Sequence, residues 1–357
     1  DYRSTTRDVR RLLAEFKAEG GIDGLVLDLR ENGGGHLTEA VGLVNLFVPK
    51  GPVVQLRETG GRVEVLESED QDAVYDGPLT ILVDRFSASA SEIFAAAMQD
   101  YGRGVVIGQE TYGKGSVQNL YPLDRYALGQ DPGYGQLTVT IGMYYRVTGD
   151  STQNKGVVPD IRLPSAISPD EVGESSREAA LPWNRIRPAP YKREGTFGPI
   201  LAELQRSHDE RIATDPDFRF EVAEIHALDE MREEKAVSLN LTARKAEREA
   251  RAADQLVREN TRRTAQGEPA LKSATEIKDP PDAILAEAAR ITADLTQIEP
   301  RYLARARTAG GHPRVDDQQH ALSEGHHGQQ GGQQRHGEER DELGDDWFIE
   351  QTLRYHV

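Results

Sequence analysis

Cysteine is absent from this chain of 357 residues, which excludes disulfides, thiolate metal sites and cysteine nucleophiles together, though it identifies no compartment. Long apolar runs are missing too. None reaches the length that a bilayer span requires, and the mean hydropathy is −0.62. Basic residues are in deficit, 43 against 60 acidic ones for a net charge of −17, so the general attraction to phosphate that nucleic-acid binding draws on is lacking and no nucleic-acid partner is expected. Histidine is scarce where it could serve catalysis, since His36 is the only one before residue 208. The first residues, DYRSTTRDVRRLLAEFKAEGG, have no basic-then-apolar leader layout and read as an amphipathic helix from about Thr6 to Ala18, in a chain expected to begin inside a domain.

What is present centres on residues 79 to 118. The apolar run Leu79 to Val83 is too short for a helix and reads as a buried strand. A serine-rich turn follows, then helix formers from Ser91 to Met98, with Ser89 and Glu92 spaced as a capping box. A second strand, Val105 to Gly108, leads to Gly113-Lys114-Gly115. A strand-to-helix turn holds a side chain rigidly at a sheet edge, beside the unpaired N–H groups and positive end of the helix. A serine placed there is suited to be a nucleophile once a base lies within hydrogen-bond reach. With histidine scarce, lysine is the alternative; an amine accepts a proton only when neutral, and flanking glycines let backbone close in and strip water from it. Taken singly, Ser89 also reads as a plain helix cap and Lys114 as a solvated loop lysine.

Ser89 and Lys114 stand twenty-five places apart, with Gln118 four further on. This block resembles the tail-specific, or C-terminal processing, serine peptidases. The resemblance implies that Ser89 is the nucleophile, Lys114 the general base and Gln118 the group that orients the lysine. Asp100 matches an acidic position that contributes in the bacterial subgroup, whereas Ser87 and Ser91 lack the right spacing to the lysine. Earlier in the chain, the strand Gly24 to Arg30 runs into Glu31-Asn-Gly-Gly-Gly-His36 and then a helix from about Leu37 to Phe47. Three glycines can turn N–H groups at a ligand, but neither the Walker nor the dinucleotide spacing is present. By resemblance the loop supplies an oxyanion donor at Gly35, the second donor being Ala90; the bland reading is a tight connecting turn with His36 on the surface. The fold implied is α/β, a ClpP/crotonase-like layered protease core over residues 1–163, followed by a mainly helical C-terminal region. No cofactor or metal is called for.

The rest of the chain is read more coarsely. Val53 to Arg57 and Arg62 to Leu66 form a hairpin pattern around Thr59-Gly-Gly61, and Gln136 to Tyr145 alternates as a half-buried strand. Residues 164–180 make a linker, and 181–300 resemble the helical extension of long Gram-negative members, beginning at Leu181-Pro-Trp183. That extension is expected to pack on the protease or hold an adaptor, or else to be a solvated appendage. Residues 301–357 form a Gly, Gln and His-rich tail expected to lack a packed core, its histidines at no spacing of a structural zinc site. The family's PDZ domain is not discernible. Polypeptide substrates, cell-wall hydrolases among them, a lipoprotein adaptor and a periplasmic location are implied by resemblance. Two rivals stand beside the peptidase: a catalytically silent peptide-binding scaffold of the same fold, and a crotonase-like acyl-CoA enzyme that would not need Lys114.

Overall fold

The computed structural model describes residues 4–126, 133–168 and 170–308. Two sheets organise the first half of the chain. In the first, β1 (Leu25–Asp28), β4 (Leu79–Val83), β5 (Val105–Gly108) and β8 (Ile161–Arg162) lie in the order β1-β4-β5-β8, all parallel. In the second, β2 (Gly51–Glu58), β3 (Val63–Ser68), β6 (Ser116–Pro122) and β7 (Gln136–Tyr145) lie in the order β3-β2-β7-β6, all antiparallel. The hairpin expected around Gly60 is the β2–β3 pair. Strand β6, which carries Gln118, was not legible beforehand because its middle is exposed and shows no apolar alternation.

Alternation across the parallel strands sorts the core into two layers. Leu79, Ile81, Val83 and Val106 face α1 (Thr5–Ala18), α2 (Leu37–Val44) and α3 (Ala90–Tyr101). Leu82, Val105, Ile107, Ile161 and Leu163 point the other way, and what covers them comes from the C-terminal half. There α4 (Gly198–Ile212), α5 (Pro216–Glu233) and α7 (Ala283–Thr308) bring Ile200, Leu204, Phe218, Ile291, Leu295 and Ile298 onto that face. A parallel sheet must be covered on both sides, and here the second cover is the helical region. Contact is close: Thr80 Oγ1 and Thr292 Oγ1 are 2.6 Å apart, and a Cβ on Gly24 would stand 2.8 Å from Thr292 Cγ2. The solvated-appendage reading is therefore wrong for α4, α5 and α7. Helix α6 (Leu241–Ala265) is more open but packs on α5, its buried Arg262 pairing with Asp217 at 2.6 Å and lying over the Phe220 ring.

The mixed α/β core and the helical C-terminal region anticipated from the sequence are both present. Helix α7 runs to Thr308, past the start expected for the low-complexity tail. The rest of that tail, including His312, His320, His326, His327 and His336, lies outside the described residues. Among the described residues no cluster of His, Asp or Glu could hold a metal, and no helix is long and apolar enough to cross a membrane.

Candidate active site

The turn between β4 and α3 places Ser89 at the N-cap of α3 with φ 57° and ψ −113°, backbone that an L side chain adopts only under constraint. Its neighbours supply that constraint. Ser87 is fully buried and donates to the Leu29 carbonyl at 2.7 Å; Ser91 is buried and donates to the Asn32 carbonyl at 3.0 Å. Ser87 and Ser91 thus stitch the serine turn to the glycine loop after β1, while Ser89 between them is half-buried. Strain gathers here. The three non-glycine residues with positive φ among the described residues are Ser89, Glu31 at the head of the glycine loop, and Asn154, packed on Gly113.

Glu92 ties the two candidate catalytic residues together. It has no exposure, and its carboxylate accepts four hydrogen bonds from groups around the site. Oε2 receives the Ser89 N–H at 2.8 Å and the Lys114 N–H at 3.0 Å, with the Tyr144 hydroxyl oxygen 3.4 Å away. Oε1 receives the Thr111 hydroxyl at 2.6 Å and the Gly113 N–H at 2.8 Å. Burial pushes this carboxyl up to about 7 against the downward pull of its donors. Sequence reasoning recognised Glu92 only as half of a helix cap. The cap bond to the Ser89 backbone exists, but the same carboxylate reaches across to the lysine loop, a contact that spacing within one helix cannot reveal.

Lys114 is half-buried, its backbone fixed on both sides: Glu92 takes its N–H, and its carbonyl accepts from the Tyr144 hydroxyl and, at 3.4 Å, from Thr152 Oγ1. Lys114 and Gln118 line one cleft of about 1190 Å³ with Asn32, Gly33, Ala88 and Tyr112, and Glu221 of α5, Ile284 of α7 and Asp282 just before α7 also line it. No hydrogen bond joins Lys114 Nζ to Ser89 Oγ or to Gln118 among the described contacts. Glu92 brings the Ser89 and Lys114 backbones to one place rather than locking the side chains together; Gln118 is exposed on β6, paired with Thr140, and Ser89 is not among the residues that line the cleft.

The glycine loop meets the serine turn through Gly34. With φ 98°, Gly34 is pressed so closely that a Cβ would lie 2.6 Å from the Ala88 carbonyl oxygen and 2.8 Å from both Ala90 N and Ser89 Cβ. Gly35, the residue singled out in the sequence, is exposed and would accept a Cβ without contact. The N–H groups of Gly35 and Ala90 have no hydrogen-bond partner among the described residues, as two oxyanion donors require. His36 is exposed at the N-cap of α2. Asp100 sits at the other end of α3, roughly 16 Å of helix rise from Ser89. It is buried in a salt bridge with Arg146, Nε to Oδ2 at 3.1 Å, and burial raises its pKa although Arg146 pulls it down.

A sharply turned serine, a lysine loop held to it by a buried carboxylate, and two backbone N–H groups without a partner among the described residues make up the candidate site. Comparison with known proteins gives the lineage. Residues 1–163 match the model of Peptidase family S41, and residues 167–297 match the C-terminal domain of tail specific protease. The tail-specific protease of Haemophilus influenzae is 44% identical over 300 residues, covering 82% of this chain and 43% of that protein. The carboxy-terminal-processing protease of Bartonella bacilliformis is 36% identical over 162 residues, covering 45% of this chain and 35% of the relative. Among solved structures, a photosystem II D1 C-terminal processing protease aligns with TM-score 0.39 and 31% identity, covering 47% of this chain and 41% of that one. The chain belongs to peptidase family S41, in its tail-specific branch, and spans less than half the length of these relatives.

Proposed function

We propose that this chain carries the catalytic centre of a serine endopeptidase that cuts polypeptides, particularly unfolded chains and tails with apolar C-termini, through an acyl-enzyme. Ser89 Oγ attacks the scissile carbonyl carbon while Lys114 Nζ takes its proton; the Gly35 and Ala90 N–H groups receive the charge on the carbonyl oxygen. The C–N bond breaks, the leaving amine takes the proton from Lys114, and water then hydrolyses the ester to free Ser89. Gln118 orients the lysine. Asp100, held by Arg146, acts on the position of α3 and not by touching Lys114. A periplasmic location, a lipoprotein adaptor and cell-wall hydrolases as substrates extend the same proposal by resemblance.

The observation that carries this reading is Glu92, a single buried carboxylate that receives both the Ser89 and the Lys114 backbone N–H groups. The test is labelling with a fluorophosphonate, located by peptide mass spectrometry, alongside cleavage of a denatured protein. Adduct on Ser89 and loss of both signals in Ser89→Ala are expected. A protein that binds peptides but neither labels nor cleaves is the silent scaffold instead.

A further inference from the structure

We infer that Gln153 is a positioning residue for Lys114, and that the segment leading from the core to the helical region clamps the lysine loop through it. This rests on the reading of Lys114 as the base. Gln153 is completely buried, and its Oε1 accepts the Gly115 N–H at 2.9 Å. Its Nε2 lies within hydrogen-bond distance of the Leu181 carbonyl at 3.1 Å, Glu174 Oε1 at 3.2 Å and Asn154 Oδ1 at 3.4 Å. One side chain therefore takes hold of the residue after Lys114 and passes that hold to residues 174–181.

The lysine loop lies flat against the stretch that carries this glutamine. A Cβ on Gly115 would be 2.9 Å from Gln153 N, and one on Gly113 would be 3.0 Å from the carbonyl carbon of Asn154, whose N–H donates to the Gly113 carbonyl at 2.8 Å. The other holds on Lys114, from Glu92, Tyr144 and Thr152, come from within the core. Gln153, with Asn154 beside it, runs outward to residues 174–181. The clamp is itself anchored: Trp183 Nε1 donates to the Ser151 carbonyl at 2.9 Å, Lys155 Nζ stands 3.8 Å over the Trp183 ring, and Asn154 Nδ2 donates to the Leu181 carbonyl at 3.0 Å. On the loop's other side the Glu174 N–H donates to the Tyr112 carbonyl at 2.9 Å, and Arg177 Nε donates to the Tyr112 hydroxyl at 2.7 Å. The clamp thus grips residues 112 and 115, either side of Lys114. An amine that must meet a hydroxyl within hydrogen-bond reach loses rate steeply when displaced by about 1 Å, so loosening the clamp should be felt in turnover before substrate binding.

The experiment compares the wild-type chain with Gln153→Ala and Trp183→Ala, each checked for folding by circular dichroism. Acetic anhydride labelling is followed by peptide mass spectrometry at Lys114, with exposed Lys50 as internal standard, and kcat and KM are measured on a denatured protein. In both variants the ratio of Lys114 to Lys50 labelling should change by roughly threefold or more, and kcat should fall about tenfold in Gln153→Ala with KM within about twofold. An unchanged labelling ratio in the folded variants overturns the inference, whether or not kcat falls. Should Gln153→Ala not fold, Trp183→Ala, which leaves Gln153 in place, decides by the same ratio. A wild-type chain that neither cleaves nor takes fluorophosphonate on Ser89 removes the peptidase reading, while the labelling ratio still judges Gln153.

Discussion

Ser89 stands in a conformation that suits glycine. Relieving a positive φ in a non-glycine residue is worth about 1 kcal/mol, so Ser89→Gly should melt higher than wild type while losing all turnover. A lower melting temperature for that variant would show that the hydroxyl carries stability. Lys114→Arg keeps a proton at any working pH, since guanidinium does not titrate in range; charge survives and cleavage should not. Turnover near the wild-type rate would make the lysine an electrostatic contact only. Glu92 gives a pH signature. Its carboxyl is raised in the folded state, from 4.5 to about 7, so the folded chain binds the proton more tightly. Its contribution is whole below the unfolded value and is lost as pH rises through about 7, on the order of 3 kcal/mol in all. Thermal melts from acid to neutral pH should show wild type losing stability relative to Glu92→Gln over that window. Parallel curves for the two would refute the assignment.

At the scale of elements, the site is made where the β4–α3 turn, the glycine loop after β1 and the β5–β6 connection converge. Gly34 governs the first meeting. A methyl group 2.6 Å from the Ala88 oxygen cannot be accommodated without moving backbone, so Gly34→Ala should cost about 2 kcal/mol or more and lower kcat more than it raises KM. Gly35→Ala meets nothing and should leave the melting temperature within error. Equal effects at the two glycines would contradict the geometry. The sequence contained this loop as three consecutive glycines, but which of them touches the serine turn depends on the approach of two segments more than fifty residues apart.

Across the whole molecule, the second face of the parallel sheet is what makes the C-terminal half indispensable. Leu82, Val105, Ile107, Ile161 and Leu163 are buried there against α4, α5 and α7. At about 1.5 to 3 kcal/mol for each side chain, their exposure would cost as much as the net stability of an ordinary domain. A chain ending after residue 163 should therefore be aggregated or molten, with strong binding of a hydrophobic dye. A soluble, cooperatively melting fragment would show that the helices are dispensable.

The strands β1, β4 and β5, the helix behind Ser89, the hairpin at Gly60 and the α/β class follow from local sequence, because apolar periodicity and turn chemistry act within about a dozen residues. The Ser89–Lys114–Gln118 spacing is likewise a one-dimensional fact, and it sufficed to suggest the chemistry. Strand β6 was not legible, since an exposed edge strand has no buried face to impose alternation. Neither was the reach of Glu92 to the lysine loop, the hold of Gln153 on Gly115, or the covering of the sheet by α7. Each joins residues brought together only by the packing of distant elements. Local sequence selected the pieces and put a serine at a strained turn; burial across the tertiary fold decided which carboxylate, which glycine and which helices complete the site.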